Sequence, residues 1–260
     1  HADNFENRES VTDYTLITQK KQKISLNFDD SFVPLESRTK VRIKGFALDN
    51  EILFDGSQSL DRKSTDAQTG IEVISQPGNP PVYGEQKVAI ILMNFNNTAQ
   101  PSLAKAQVEN MATTKLAPFY AENSYGNISL VTDVYGWFTA PIAANCDAWA
   151  SPEFISTADQ YVDYRNYKRI IFVAPLENCK YKGIGTIGMR TYNTADGSVT
   201  TSLAGLTVSY MSTYNVTAHE LGHNFGLHHA SRLRCGDAII STRSDCEQIE
   251  YGDYFSVMGF

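Results

Sequence analysis

The pattern of apolar and polar positions divides the chain into two parts. In the first part, short runs alternate between apolar and polar side chains, as at residues 23–28 and 40–45, which is typical of strands with one buried face. Residues 76–81 then contain three prolines, which fix the backbone and remove hydrogen-bond donors. We therefore expect a small antiparallel β domain at residues 1–78 and a second domain at residues 79–260.

The second part has a different rhythm, in which strands and helices follow one another. Residues 88–93 and 169–174 are apolar runs typical of strands that are buried on both faces. Residues 102–121 and 158–164 have helical spacing, and residues 128–138 alternate as a strand does. The sequence therefore predicts an α+β fold for the second domain.

The histidines of the chain are concentrated in one short segment. Four of the five lie in H-E-L-G-H-N-F-G-L-H-H, which begins at His219 and fits the zinc template H-E-x-x-H-x-x-G-x-x-H. On a helix, His219 and His223 lie one turn apart on the same face, with Glu220 beside them. Gly226 tolerates the left-handed backbone that ends a helix, so the chain can turn and bring His229 to the same metal ion. Three imidazoles with an open fourth position are the donor set of catalytic zinc.

Other interpretations of this segment remain open. Thr217 and Glu220 have the spacing of a capping box, in which Glu220 would only cap a helix. Leu221 and Phe225, four residues apart, fit the buried face of a helix. His228 is out of register with the template, and we expect it beside the site or at the surface.

A glycine-containing segment precedes the zinc motif. Gly183 to Gly188 matches the dinucleotide fingerprint G-x-G-x-x-G, but the residues after it are too rich in turn formers to begin a helix that would receive a pyrophosphate. An exposed strand here could instead pair with an extended peptide. We expect substrate binding through Gly185, Thr186, Ile187 and Gly188.

The segment after the histidines adds a resemblance. Residues 251–259 read Y-G-D-Y-F-S-V-M-G, about thirty residues beyond the complete zinc motif. A lone methionine usually fills a core, but in this setting the segment resembles the Met-turn of the metzincin zinc peptidases. With Tyr-Gly-Asp just upstream, it is most similar to gametolysin-like peptidases. The resemblance covers roughly residues 88–260.

The resemblance implies a role for each matching residue. His219, His223 and His229 would be the zinc ligands, Glu220 the general base, and Met258 the methionine of the Met-turn. It also implies a metzincin-like catalytic domain, with a twisted five-stranded mixed sheet, flanking helices, and an edge strand at residues 183–190 over the cleft. Tyr251 and Tyr254 are candidates for stabilising the oxyanion, although core packing is the alternative for both.

The four cysteines indicate disulfides. Cys146, Cys179, Cys235 and Cys246 are even in number and contain no C-x-x-C pair of a structural zinc site. Three pairings exist, and proximity favours Cys235 with Cys246 and Cys146 with Cys179. The alternative is four reduced, buried thiols in a cytosolic protein. Disulfides favour a secreted, extracellular protein.

Charge and composition narrow the partners. The formal net charge is −7 with a pI near 5.2, which argues against nucleic acid, and no apolar run approaches the roughly 20 residues that span a bilayer. The composition does not indicate an oligomeric state. A calcium site could form among four acidic residues, although acidic loops are usually just solvated. These residues are Asp237, Asp245, Glu247 and Asp253.

The function that these features favour is a secreted zinc-dependent endopeptidase acting on extracellular proteins or peptides, with Glu220 removing a proton from water. The alternative is a non-proteolytic adhesin or binding module, in which zinc only staples the same shell. Glu220 separates the two, because a structural zinc site needs no carboxylate beside it. The domain at residues 1–78 could be a propeptide or an accessory module.

Overall fold

The computed structural model describes residues 2–4, 9–11, 14–27, 40–44, 46–48, 51–53, 70–75, 82–237 and 245–259. The chain forms two compact units, of which one is Val11–Pro80 and the other combines His1–Ser10 with Pro81–Phe260. This division differs from the expected one in the first ten residues, which join the larger unit. The proline-rich segment at residues 76–81 lies outside the described residues.

No helix within the described ranges is both long enough and apolar enough to cross a membrane.

The described part of the first 75 residues contains eight short strands. They are β1 Ala2–Asn4, β2 Glu9–Val11, β3 Tyr14–Ile17, β4 Lys23–Asn27, β5 Lys40–Lys44, β6 Phe46–Leu48, β7 Glu51–Leu53 and β8 Gly70–Ser75. One sheet has the order β3-β4-β7-β6, and β5 pairs with β8. All pairs in these two sheets are antiparallel except β4 with β7, which is parallel. Alternation of side chains predicts which face is buried but not the direction of the neighbouring strand.

The larger unit contains the longer elements. Its strands are β9 Gly84–Phe95, β10 Ile128–Ala140, β11 Arg169–Ala174, β12 Gly183–Gly185, β13 Arg190–Thr194, β14 Gly197–Thr207, β15 Ser231–Arg234 and β16 Glu247–Glu250. Its helices are α1 Lys105–Met111, α2 Ala117–Asn123, α3 Pro152–Asp159, α4 Val208–Met211 and α5 Tyr214–Asn224. A π-helical segment, Ala112–Leu116, joins α1 to α2, and short 3₁₀ turns form at Ala148–Ala150, Tyr164–Asn166 and Val257–Gly259.

A mixed sheet forms the centre of this unit. Its order is β10-β9-β11-β14-β12, with the first four strands parallel and β12 antiparallel to β14. β1 pairs with the far side of β12, β2 follows β1, and β13 folds back on β14. The expected α+β fold with a mixed sheet is confirmed, but the sheet has eight strands among the described residues rather than five, because β1, β2 and β13 add to it.

The sheet is covered on both faces. Ile90 and Leu92 of β9 pack with α1, α2 and α5, whereas Ile91 and Met93 pack with α3 on the opposite face. All four side chains are fully buried. The continuous apolar run at residues 88–93 therefore reflects a central strand with protein on each side.

One helix lies elsewhere than the sequence predicted. The helix expected at residues 158–164 is wrong, because α3 occupies Pro152–Asp159 and ends there. Ser151 caps it, since its hydroxyl accepts a hydrogen bond from the Phe154 amide at 3.4 Å, and Pro152 stands at the first helical position. Serine followed by proline is a helix-start signal that the periodicity alone did not use.

The two expected disulfides are present in the structure. Cys146 is bonded to Cys179, and Cys235 is bonded to Cys246. The first closes a loop with a sequence separation of 33 residues and the second a loop of 11. The second joins the chain just after β15 to the chain just before β16, so it lies at the loop end of that hairpin.

Candidate metal centre and active site

The helix α5 carries the first half of the histidine motif. It begins at Tyr214, and the side chains of His219, Glu220 and His223 within it have no exposed surface. Because Thr217 lies inside the helix rather than at its start, the capping-box interpretation of Glu220 does not hold. The three polar side chains are instead buried together. Burying polar groups costs free energy unless they are hydrogen-bonded, paired or bound to a metal.

The end of α5 turns the chain back toward the helix. Gly226 has a left-handed φ of 96°, its amide donates to the His223 carbonyl at 2.8 Å, and the Leu227 amide donates to the Gly222 carbonyl at 3.1 Å. These two hydrogen bonds are the Schellman arrangement of a helix C-terminus. The turn expected at Gly226 is present, and the chain after it reaches His229.

The structure brings the three template histidines together. The candidate ligand atoms of His219, His223 and His229 all lie within 4.8 Å of one another. Their ring centroids are 4.8 to 5.1 Å apart. Within the described ranges this is the one cluster of histidine, cysteine and acidic side chains that could hold a metal ion. The acidic residues suggested for calcium form no such cluster there, so calcium has no support.

Backbone carbonyls hold the two helix histidines. Nδ1 of His219 lies 2.8 Å from the Val257 carbonyl oxygen, and Nδ1 of His223 lies 2.8 Å from that of Leu227. A carbonyl can only accept, so each Nδ1 carries the ring proton and donates it. Nε2 then has the lone pair, which is the form in which a neutral imidazole binds a metal.

A carboxylate and an aromatic ring hold the third histidine. Nδ1 of His229 lies 2.6 Å from Glu250 Oε1, and the Tyr251 ring packs on the imidazole with centroids 3.9 Å apart. Tyr251 is buried, whereas Tyr254 is largely exposed and lies near Arg232. Sequence reasoning did not single out Glu250, and an acidic residue at the end of a strand gives no signal of this contact.

The turn around Met258 packs against α5 at Gly222. Met258 is buried, and its Sδ occupies the space that a Cβ at position 222 would need. Its carbonyl accepts a hydrogen bond from the Ala230 amide at 2.9 Å. The short turn Val257–Gly259 therefore contacts α5 through a side chain and the segment that carries His229 through the backbone.

Glu220 lies against the glycines of β12. A Cβ at Gly183 would overlap Glu220 Oε1, and a Cβ at Gly185 would lie 3.0 Å from both Glu220 Oε2 and the Cβ of His223. The glycines of the fingerprint thus allow a strand to approach the carboxylate closely. After Gly185 the chain continues to the strand β13 rather than into a helix, so the structure offers no helix N-terminus for a pyrophosphate there.

The expected edge strand differs from the observed one. Only Gly185 of the four residues suggested for substrate binding lies in β12, because the next residues turn toward the end of α5. The Gly188 amide donates to the His223 carbonyl at 2.8 Å, and the Asn224 side chain donates to the Thr186 carbonyl at 3.1 Å. These bonds fix Thr186, Ile187 and Gly188 against the helix.

The outer side of β12 is also paired, which corrects its description as an edge. Ala2 of β1 stands opposite Ile184, and Asp3 stands opposite Gly183, in antiparallel register. The sequence pattern could not show this contact, because about 180 residues separate the two strands.

A buried arginine supports the end of α5. Nη1 of Arg169 donates to the Asn224 carbonyl at 3.1 Å, and its guanidinium lies 4.1 Å from the centroid of the Phe225 ring. Burial lowers the pKa of Arg169 to about 10, so the group remains charged at neutral pH. A positive charge at a helix C-terminus is favourable.

Two further groups lie beside the motif. The Tyr120 hydroxyl donates to the Ala218 carbonyl at 2.7 Å, one residue before His219, and burial raises the pKa of this tyrosine so that it keeps its proton. His228 is half-buried, and burial lowers its pKa, which favours the neutral ring. It lies outside the cluster of three.

Of three comparisons with known proteins, one identifies a family for this chain. The sequence profile of metallo-peptidase family M12 matches residues 86–253, which is more than half of the chain. None of the curated proteins matches the chain significantly. Among solved structures, the chain is similar to metalloproteinase-II from Bacteroides fragilis, with 15% identity and a TM-score of 0.36 over 56% of this chain and 43% of that one.

The family match confirms the expectation of a metzincin-like zinc metalloprotease. The matching family is M12, whereas the residues around Tyr251 had resembled gametolysin-like peptidases. Peptidases of family M12 use zinc, and the cluster of three histidines could hold such an ion. The chain belongs to metallo-peptidase family M12, a family of zinc metalloendopeptidases.

Proposed function

We propose that His219, His223 and His229 hold a catalytic zinc ion and that Glu220 is the general base of peptide hydrolysis. The observation that carries the proposal is the convergence of three imidazoles within 4.8 Å, beside a buried carboxylate. Three neutral nitrogen donors suit zinc. The Nδ1 contacts described above support this assignment, since they turn each Nε2 toward the centre of the cluster.

Zinc, when bound, polarises a carbonyl and lowers the pKa of water to about 7. Glu220 accepts the proton of the attacking water on a carboxylate oxygen and returns it to the nitrogen of the leaving amine. Its burial places the carboxylate in a low-dielectric surrounding, which strengthens its electrostatic interactions. Oε1 lies against Gly183 and Oε2 against Gly185, so the strand β12 fixes the orientation of the carboxylate.

We extend the proposal to the form of the substrate. An extended peptide adds to β12 as an antiparallel strand, and the backbone at Gly183–Gly185 then holds it beside Glu220. Of the residues expected to bind substrate, only Gly185 lies in this strand; Thr186, Ile187 and Gly188 follow it and lie against the end of α5. A protein or peptide is the substrate class that suits a backbone-lined site.

The place of action is also part of the proposal. Two disulfides join all four cysteines of the chain. Disulfides persist in oxidising compartments and are rare in the cytosol of most organisms. These bonds favour a protein that works outside the cell, and measuring the protein in the medium and in cell extracts of its producing organism tests this.

The function is tested by casein hydrolysis with a chelator, followed by zinc addition, together with metal analysis of four proteins. We expect the wild type to lose activity on chelation and regain it with zinc. Glu220→Gln should retain zinc and lose about 100-fold or more in activity, whereas His223→Ala should lose both. His228→Ala is the matched control and should retain both.

Two results would contradict the proposal. Turnover of Glu220→Gln at the wild-type rate would remove Glu220 as the base. A wild type that holds zinc firmly but cleaves neither casein nor a library of peptides would instead favour the binding module in which zinc is only structural.

A further inference from the structure

The three histidines are not held in the same way. His219 and His223 belong to α5 and donate to backbone carbonyls, so the helix fixes both of them. His229 follows the Gly226 turn and belongs to no helix. Its side chain is nonetheless only 2% exposed, and a carboxylate rather than a carbonyl faces its Nδ1.

We propose that Glu250 is the positioning residue of His229. Its carboxylate accepts a hydrogen bond from Nδ1, with Nδ1 and Oε1 2.6 Å apart, which sets the tautomer and the direction of the ring. An anionic acceptor at Nδ1 also makes Nε2 more basic, and so a stronger metal ligand, than a carbonyl acceptor would. The inference rests on the proposed zinc site and adds a residue through which the chain controls the affinity of that site.

The hairpin β15–β16 places Glu250 beside the segment that carries His229. Ser231, two residues after His229, stands opposite Glu250 in the antiparallel register. His229 and Glu250 therefore lie at the same end of the hairpin. Tyr251 packs on the other side of the ring. At the far end, Arg234 pairs with Glu247, and the second disulfide closes the hairpin. The histidine and its acceptor are therefore held by one small element.

Zinc affinity measured by competition with a chromophoric chelator tests this proposal without relying on activity. We expect Glu250→Ala to weaken zinc binding by about 10- to 100-fold, and Glu250→Gln, which keeps an oxygen acceptor without charge, to fall between Ala and the wild type. Glu122→Gln, at an exposed position of α2 away from the hairpin, is the control and should bind as the wild type does. The urea midpoint of each metal-free protein shows whether the fold is intact.

The outcomes separate the two proposals. A wild type that binds no zinc contradicts the proposed function. A wild type that binds zinc, with Glu250→Ala and Glu250→Gln binding it equally well, overturns only the role of Glu250. Should the alanine variant not fold, the near-isosteric glutamine variant still decides, because an unchanged affinity there would show that the carboxylate charge contributes nothing.

A different observation concerns access to the strand β12. Its inner side pairs with β14, and its outer side pairs in antiparallel register with β1, where Asp3 stands opposite Gly183. Gly183 is also the residue that lies against Glu220. The segment Ala2–Asn4 therefore has the strand direction and the position that an added peptide would take.

We infer that β1 competes with substrate for β12. This rests on the proposed function, because it concerns the surface through which an extended peptide would add. An occupant from the same chain lowers the fraction of molecules that can bind substrate, which raises the apparent KM without changing the chemical step. Substrate binding then requires that β1 leave.

The competition between β1 and substrate is tested by measuring KM and kcat of the wild type and of Asp3→Pro on an internally quenched peptide. Proline removes a backbone donor from β1 and weakens strand pairing. We expect a severalfold lower KM at an unchanged kcat, and competitive inhibition of the variant by a peptide with the sequence of residues 1–11. Gln19→Pro is the control, because it places proline in the turn between β3 and β4, where the Lys21 amide donates to Thr18.

Equal KM values, together with no inhibition by the peptide, would overturn the competition. Failure of the wild type and of both variants to hydrolyse any peptide in the presence of zinc would contradict the proposed function instead.

Discussion

Met258 lies against Gly222, and its sulfur occupies the space that a Cβ at position 222 would need. The contact joins the middle of α5 to the turn Val257–Gly259, and the Val257 carbonyl accepts a hydrogen bond from Nδ1 of His219. A displacement of this turn would therefore move the carbonyl that orients the His219 ring.

Gly222→Ala should destabilise the protein in spite of the better helix propensity of alanine. Alanine gains about 1 kcal/mol in a helix, but overlap in a packed core costs about 1 to 3 kcal/mol, so we expect a lower urea midpoint. Zinc affinity should fall as the turn moves. In Gly222→Ala combined with Met258→Ala, the two effects should be less than additive. Full additivity would show that the two positions do not interact.

Gly183→Ala should impair catalysis more than it impairs folding or metal binding. The added methyl would displace the Glu220 carboxylate, and a shift of about 1 Å at a reacting group can lower the rate by about 100-fold. The measurements are kcat/KM, zinc content and the urea midpoint. Ser198→Ala, at an exposed position of β14, is the control. An active Gly183→Ala variant would mean that the carboxylate has room to move.

Alkaline pH should destabilise the protein through its buried tyrosines. Burial raises the pKa of Tyr120 and of Tyr164 above the ordinary value of 10.0. Above pH 10 the unfolded chain loses these protons while the folded protein keeps them, so the free energy of unfolding falls as pH rises, by about 1.4 kcal/mol per pH unit for each tyrosine. Below pH 10 the two states bind these protons equally and no change is expected.

Urea titrations between pH 8 and 11 measure this dependence. Tyr120→Phe should have a shallower slope above pH 10 than the wild type, and Tyr125→Phe, at a position that is 94% exposed, should match the wild type. Parallel slopes for all three proteins would argue against a protonated, buried Tyr120.

The two disulfides should stabilise the fold unequally. By the loop-entropy relation, the bond that closes 33 residues contributes about 4 kcal/mol and the bond that closes 11 residues contributes about 3 kcal/mol. Paired serine substitutions, Cys146→Ser with Cys179→Ser and Cys235→Ser with Cys246→Ser, allow the comparison by urea unfolding. A larger loss from the second pair would show that its hairpin contributes more than chain entropy.

The local part of the candidate site could be predicted from the sequence. The helical repeat places His219 and His223 on one face, and Gly226 provides the turn, so their geometry depends on neighbouring residues only. The strand Arg169–Ala174 was predicted with its observed bounds, because an apolar run between turn signals leaves few alternatives.

Contacts between distant segments could not be predicted. The pairing of His229 with Glu250 joins a loop to a strand end, and the pairing of β1 with β12 joins the two halves of the chain. Neither leaves a periodic pattern in the sequence. The hairpin of β13 and β14 was missed for another reason, since its many threonine and serine residues obscure the alternation of strands.

The turn at Gly226 makes the length of the chain between His223 and His229 part of the site. The two hydrogen bonds of this turn fix where the helix ends. A residue inserted here would change the direction of the chain after the turn and move His229 away from His219 and His223. Surface loops elsewhere in proteins accept insertions readily. This segment should tolerate substitutions at Leu227 and His228 but no change in its number of residues.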